Sequence, residues 1–297
     1  MQQDVLALIG SDSPRFSKGQ KRIAAFILEH YDKAAFMTAS KLGLTVGVSE
    51  STVVRFACAL GFEGYPELQR DLQRIIRNKL TSVQRIEVTS ERIGTADVLD
   101  KVLNSDIEKI RRTLEETARP DFSRAVETLT AARTIYILGA RSASALASFL
   151  FYYFNLIFPA VRLVDSGSGD GIAEQLMRVS QGDVIIGISF PRYSKRTVRA
   201  CAIAKEMGAK VLALTDGPAS PLAAQADCLL TARSDMASFV DSLVAPLSLI
   251  NALIVAVGLE KRDEISDVFE KLEGIWDRYE VYEKNDQTAP DGETEDE

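Results

Sequence analysis

The sequence predicts an α/β protein in two parts, an all-α helix-turn-helix unit at the amino end and a doubly wound parallel α/β unit at the carboxyl end. Three observations predict it. Residues 16–68 hold short amphipathic periods separated by small-residue turns. Residues 134–257 alternate β-rich apolar runs with helical runs, the pattern of a parallel sheet. The 297 residues exceed one ordinary domain and suffice for two cores. The expected boundaries are 1–80 for the helix-turn-helix unit, 81–119 for a helical connector, 120–284 for the α/β unit and 285–297 for an acidic disordered tail.

Composition sets the frame for both parts. With 46% apolar and 26% charged residues the chain is an ordinary globular protein rather than a disordered or fibrous one. Glu283, Asp286, Asp291, Glu293, Glu295, Asp296 and Glu297 crowd the end of the chain, which is expected to be solvated and unfolded. The net charge of −7 is unevenly spread, because residues 1–85 hold 12 Lys and Arg against 8 Asp and Glu while the rest hold 23 against 34. A basic head on an acidic body suits a part that meets phosphate backbones, although a surplus of four is equally that of a solvated helix face. Cys58, Cys201 and Cys228 are far apart in apolar runs, so reduced core thiols are expected and neither a disulfide framework nor a metal pair is. The apolar run at 243–259, broken by Pro246, Ser248 and Asn251, is expected to be a buried helix, so no membrane contact and a cytoplasmic location are expected.

The first helix follows Ser17 as N-cap and places Ile23, Ala24, Ile27 and Leu28 on one stripe. His30, the only histidine, falls at its end. Thr38 or Ser40 can cap a short helix around Leu42, and Gly43 to Gly47 offers small residues for a sharp turn. Ser49 is then expected to cap a helix that ends at Gly61, with Val53, Val54, Ala57 and Leu60 facing inward. That leaves Ser49, Ser51, Thr52 and Arg55 on the first turns and outer side, the place from which a recognition helix contacts bases and phosphates. Ser and Thr there also suit plain capping.

The connector carries two amphipathic stretches, one through Leu68, Leu72, Ile75 and Ile76 and one from Val98 to Leu114 through Leu103, Ile107 and Ile110. A hinge is expected near residues 80–95. The apolar stripes fit either contacts between copies of the chain or packing within one copy.

In the second part the expected strands are 134–138, 161–164, 184–188 and 211–214, with a helix from Ala145 after the first. Ligands in such folds sit beyond the carboxyl ends of strands. The loops there carry Arg141, Ser142 and Ser144, and Ser189, Arg192, Ser194 and Thr197. Hydroxyls, helix-start N–H groups and guanidinium groups together suit a phosphate monoester, though hydroxyls at helix starts are also caps. No GxGxxG follows the first strand, which counts against a dinucleotide, and no cofactor or metal is expected.

Two stretches resemble a known family. SKLGLTVGVSESTVVRFACALGFEGYPELQRDL is similar to the winged helix-turn-helix of RpiR-type (RpiR/MurR) transcriptional regulators, through Ser49, Thr52, Val53, Arg55 and Phe56 and then Leu60, Gly61, Phe62, Gly64 and Tyr65. The loops at 139–144 and 182–197, with Met207 to Thr215, resemble the sugar isomerase (SIS) domain of the same regulators over roughly residues 120–255. The resemblance implies a regulator of carbohydrate metabolism that binds double-stranded operator DNA as a homodimer or homotetramer and senses a phosphosugar through its Ser/Thr-rich loops. Ser189 matches the first hydroxyl of the family loop and Ser194 its threonine, but Pro191 and Arg192 stand where Ser and Gly are usual, and Arg141 where Gly often stands. These changes point toward a more highly charged phosphosugar or a sugar acid.

Two other readings remain. A sugar-phosphate isomerase would need a base and often a ring-opening histidine. Asp165, Asp170, Glu174, Asp216 and Asp235 lie near strand ends, but the one histidine is in the other half, so no enzyme is expected. Alternatively the α/β domain is only a dimerisation scaffold, which the altered loop at Pro191 and Arg192 keeps open.

Overall fold

The computed structural model describes residues 5–12, 16–79, 83–86, 90, 97–165, 171–234 and 240–282. The acidic segment 283–297, most of the expected hinge, Asp170, Asp235 and the side chains of Ile75 and Ile76 lie outside the described residues.

The amino-terminal unit is six helices: α1 (Val5–Asp12), α2 (Lys18–Glu29), the single turn α3 (Tyr31–Ala34), α4 (Ala39–Val46), α5 (Glu50–Ala59) and α6 (Tyr65–Lys79). Ser17 begins α2 with a capping box, its hydroxyl accepting from the Gln20 N–H while the Gln20 side chain accepts from the Ser17 N–H. Ile23, Ala24 and Ile27 enter the core as expected, but Leu28 is 42% exposed. In α5 the buried set is Val53, Phe56, Ala57 and Leu60, spaced i, i+3, i+4 and i+7, and Val54 is 38% exposed because it falls off that face. The core is completed by α6 through Tyr65, Leu68 and Leu72, so this helix belongs to the first unit rather than to a free connector. Tyr65 donates its hydroxyl to the Met37 carbonyl at 2.9 Å, and burial pushes its phenol up to about 12.

The turn differs from expectation at two points. Helix α4 runs through Gly43 to Val46, and only Gly47, at φ +68°, makes the reversal. Gly43 is small for another reason: a Cβ there would lie 2.8 Å from the Val48 carbonyl oxygen, where the turn crosses the helix. Arg22 from α2 donates to the Gly47 carbonyl at 3.1 Å and fixes the turn to the core.

Helix α7 (Val98–Glu116) leads into the second unit and packs along α12 (Val244–Glu260), burying Lys109 and Thr113. Leu99, Leu103, Ile107, Ile110 and Leu114 form a stripe that one copy leaves partly exposed.

After α8 (Arg119–Thr130) come β1 (Ile135–Gly139), α9 (Ala143–Ile157), β2 (Val161–Leu163), α10 (Ile172–Leu176), β3 (Val184–Ile188), α11 (Lys195–Glu206), β4 (Lys210–Thr215), β5 (Cys228–Thr231), α12 and α13 (Arg262–Arg278). The strands form one parallel sheet in the order β2-β1-β3-β4-β5. One face is covered by α8, α9 and α12 and the other by α10 and α11, which is the doubly wound arrangement. Strands β1 and β3 are buried along their whole length, as continuous apolar runs in a two-faced sheet must be. Helix α12 is a core helix, and no single helix among the described residues is long and apolar enough to cross a membrane. Cys201 and Cys228 are buried free thiols, whereas Cys58 is exposed, contrary to the expected core position.

At the sheet's opposite end Asp183, wholly buried, accepts from Arg133 Nε at 2.9 Å, Arg133 Nη2 at 2.8 Å and the Ser180 N–H at 2.9 Å. Burial pushes this carboxyl upward, but the hydrogen bonds from Arg133 and Ser180 and the Arg133 charge outweigh it and hold the group below its ordinary value. Since the folded state favours the ionised form, this stability is present above the ordinary carboxylate pKa and is lost as pH falls through the depressed one. Asp183→Asn is therefore expected to lower the urea midpoint at pH 7, with a difference from the parent that shrinks once the pH drops below about 4.

Candidate functional site

The sheet order reverses between β1 and β3, and there the loops after the two strands diverge to opposite faces. A cavity of about 280 Å³ opens at that point. Its wall comes from Ala140, Arg141, Ser142 and Ala143 after β1, from Ser189 to Arg192 and Ser194 after β3, and from Asp241 and Leu243 ahead of α12. The amino end of α9 contributes Ala143, so the positive end of that helix dipole faces the cavity.

Both loops are held in unusual backbone. Arg141 has φ +58° and Arg192 has φ +65°, the left-handed region that glycine occupies without cost. A side chain there costs on the order of 1 kcal/mol or more, and such strain gathers at functional sites. These are the two positions where the family resemblance leads to an expectation of glycine, and each carries a cation instead.

Five of the seven residues expected at the site line the cavity: Arg141, Ser142, Ser189, Arg192 and Ser194. Ser189 is buried and its hydroxyl accepts from the Ser194 N–H at 3.1 Å, while Ser194 caps α11 by accepting from the Thr197 N–H. The other two lie off the wall. Ser144 turns its hydroxyl to the Arg141 carbonyl at 2.6 Å, tying the strained turn. Thr197 is fully buried behind the loop, and its Oγ1 has no hydrogen-bond partner among the described residues.

Asp241 was not expected here. It lies far along the chain from both loops, shortly ahead of α12, and no local pattern announces its place in the wall. Of the carboxylates considered as bases, Asp216 accepts from Tyr193 Oη at 2.8 Å and from Thr215 Oγ1 at 3.2 Å, and Asp165 and Glu174 do not line the cavity. Among the described residues no group of three or more His, Cys, Asp or Glu is placed to hold a metal ion.

The expected nucleic-acid face is a second constellation, on α5. Ser49 occupies the N-cap position, but its hydroxyl makes no capping bond and instead pairs with Ser51 Oγ and Thr52 Oγ1, each at 2.9 Å. Arg55, one turn on, is exposed and donates from Nε to the Ser51 carbonyl at 3.3 Å. The four side chains thus share one end and side of the helix that follows the Gly47 turn.

Comparison with known proteins divides the chain along the same lines. Residues 3–79 match the helix-turn-helix domain of the rpiR family and residues 128–256 match the SIS domain. The HTH-type transcriptional regulator HexR of Escherichia coli is 28% identical over 284 residues, covering 91% of this chain and 94% of its own. The sugar isomerase domain of an RpiR transcription factor from Sphaerobacter thermophilus superimposes with a TM-score of 0.57 at 28% identity, over 59% of this chain and 98% of that one. The Vibrio vulnificus NanR protein, complexed with ManNAc-6P, shares the fold at a TM-score of 0.56 and 23% identity, over 94% of this chain and 99% of its own.

Proposed function

This chain belongs to the RpiR-type transcriptional regulators, with an rpiR helix-turn-helix and a SIS domain, and from that premise we propose that its cavity senses an anionic sugar metabolite that alters operator binding. It is a regulator and not an enzyme, in keeping with the regulators it resembles along most of its length. The observation that carries the proposal is the pair Arg141 and Arg192, each in left-handed backbone, on the two loops that meet at the switch point. Arginine presents a planar fork of donors that matches phosphate and carboxylate oxygens. Two of them beside a helix amino end and the Ser142, Ser189 and Ser194 hydroxyls suit a small sugar with two anionic groups. ManNAc-6P, the phosphosugar bound to the NanR fold neighbour, has one.

Operator contact is assigned to Ser49, Ser51, Thr52 and Arg55. We assign the exposed Leu99, Leu103, Ile107, Ile110 and Leu114 stripe of α7 to contacts between copies, which pair two readers on spaced half-sites. The test is binding of the chain to DNA from its own upstream region at a fixed salt concentration, with glucose 6-phosphate, 6-phosphogluconate and gluconate added in turn. Light scattering on the same sample counts the subunits. The compound with both phosphate and carboxylate is expected to change operator affinity most, by about tenfold or more. Operator binding indifferent to every anionic sugar would leave the SIS domain as a scaffold, and a monomer in solution would remove the assignment of the stripe.

A further inference from the structure

The lining of the cavity falls within the SIS match, but one lining residue is held from outside that domain. Arg85 sits in a helical turn at residues 83–86, between the two family matches, and its Nη1 donates to Asp241 Oδ1 at 2.7 Å. The Arg85 side chain is 2% exposed and that of Asp241 24%, so this is an ion pair drawn out of solvent at the edge of the cavity. The next residue is held from the same side. Ser242 donates its hydroxyl to Asp106 Oδ1 at 2.8 Å, and the buried Lys109 holds that same oxygen at 2.9 Å, both partners lying on α7 ahead of the SIS domain. Just before, Arg233 donates its N–H to Thr113 Oγ1 at 2.9 Å and pairs with Glu116. Thus Arg233, Asp241 and Ser242 are each fastened to elements between the reader and the sheet.

The electrostatics give that fastening a consequence. Among the described residues Asp241 is the sole carboxylate in a wall that otherwise carries Arg141 and Arg192. A carboxylate facing an anion opposes its entry, and in a partly desolvated site that opposition is not fully screened. Paired with Arg85, its charge is offset. We propose that Arg85 is a positioning residue of the effector site: by holding Asp241 it sets the affinity of the cavity for an anion, and it makes that affinity depend on the segment that tethers the DNA reader. Linkage then runs both ways, since whatever moves residues 83–86 changes anion affinity and anion binding biases residues 83–86. The inference rests on the cavity being an anion site.

The test is a double-mutant cycle on the full chain, read by calorimetric titration with inorganic phosphate at fixed ionic strength. Arg85→Gln is expected to weaken phosphate about tenfold, because the Asp241 charge is left to face the cavity. Asp241→Asn is expected to tighten it roughly threefold or more, because the negative charge facing the anion is removed. The double variant R85Q/D241N is expected to return to within about twofold of the parent, a rescue that a merely structural role would not produce. Arg85→Gln binding phosphate as the parent does, or a double variant no better than the single, overturns the proposal. Where Arg85→Gln does not fold, Asp241→Asn decides it, and unchanged or weaker binding in that variant is the refuting result. Failure of the parent itself to bind phosphate or any sugar phosphate overturns the anion-site reading, and is distinguishable because it precedes any comparison of variants.

Discussion

Gly139→Ala is expected to lower the melting temperature by about 10 °C and to abolish anion binding. A Cβ on Gly139 would lie 2.3 Å from the Ala143 carbonyl oxygen and 3.1 Å from Ala147 Cβ. The first obstacle is backbone, so relief requires lifting the first turn of α9 off the end of β1. Overpacking of that kind costs about 3 kcal/mol, and for a domain of this size each 1 kcal/mol moves the midpoint by roughly 2–4 °C. The same movement displaces Arg141, Ser142 and Ala143, which form one side of the cavity. Gly274→Ala is the matched control. It adds the same methyl group on α13 where nothing lies within 4 Å, and removing a glycine from a helix interior is worth up to about 1 kcal/mol of stabilisation. Differential scanning calorimetry of the two variants should move the midpoint in opposite directions; a Gly139→Ala midpoint equal to the parent's would mean that β1 and α9 do not approach as described.

That close approach shows which features a sequence displays and which it hides. Strands β1, β3 and β4 were legible because burial on both faces demands unbroken runs such as Ile135 to Leu138 and Val184 to Ile188. Strand β5 was not, since Cys228 to Thr231 is four residues long and only alternately buried at the sheet edge. In α5 the choice of Val54 over Phe56 as a core residue was an error of period: positions 53, 56, 57 and 60 make the helical stripe, and position 54 lies about 100° away from 53. Gly43 looks like a turn residue in the sequence because small residues serve turns and tight crossings alike, and only the packing of Val48 against α4 separates the two uses.

For the cavity, the two loops could be found from strand ends alone, and Arg141 and Arg192 stood out as departures from the family pattern. Their left-handed backbone explains why glycine would be usual at both positions, and nothing in the backbone explains the arginines. What no local pattern held was the third wall, because Asp241 lines the cavity with Ser189 and Arg141 from far along the chain, and Arg85 is a neighbour of Asp241 through the docking of a short helical turn. Contacts of high sequence separation are the ones periodicity cannot report.

The two constellations should come apart under mutation, and this division is the most direct consequence of the proposed reader and sensor sharing one chain. Arg55→Ala is expected to weaken operator binding by about 10- to 100-fold, the effect of losing one base or phosphate contact. Anion affinity in the isolated protein should stay within about twofold of the parent, since changes at distant, independent sites are close to additive. The salt dependence identifies the contact: loss of a phosphate contact lowers the slope of log affinity against log salt by about one, whereas loss of a base contact relaxes sequence preference and leaves the slope. Ser189→Ala should do the reverse. It removes the hydroxyl that accepts from the Ser194 N–H at 3.1 Å, and with it one fixed donor of the cavity wall. Anion affinity is expected to fall about tenfold, a charge-assisted hydrogen bond being worth roughly 1.5–3 kcal/mol at most. Operator affinity without effector should be unchanged, and the response should move to higher effector concentration without losing amplitude, because the coupling between sites is a property of the two states rather than of the ligand's tightness. Gel-shift titrations across effector concentration measure all of these. Equal operator affinity in Arg55→Ala and the parent would remove α5 as the reading helix, and an unshifted response in Ser189→Ala would place the effector away from the β3 loop.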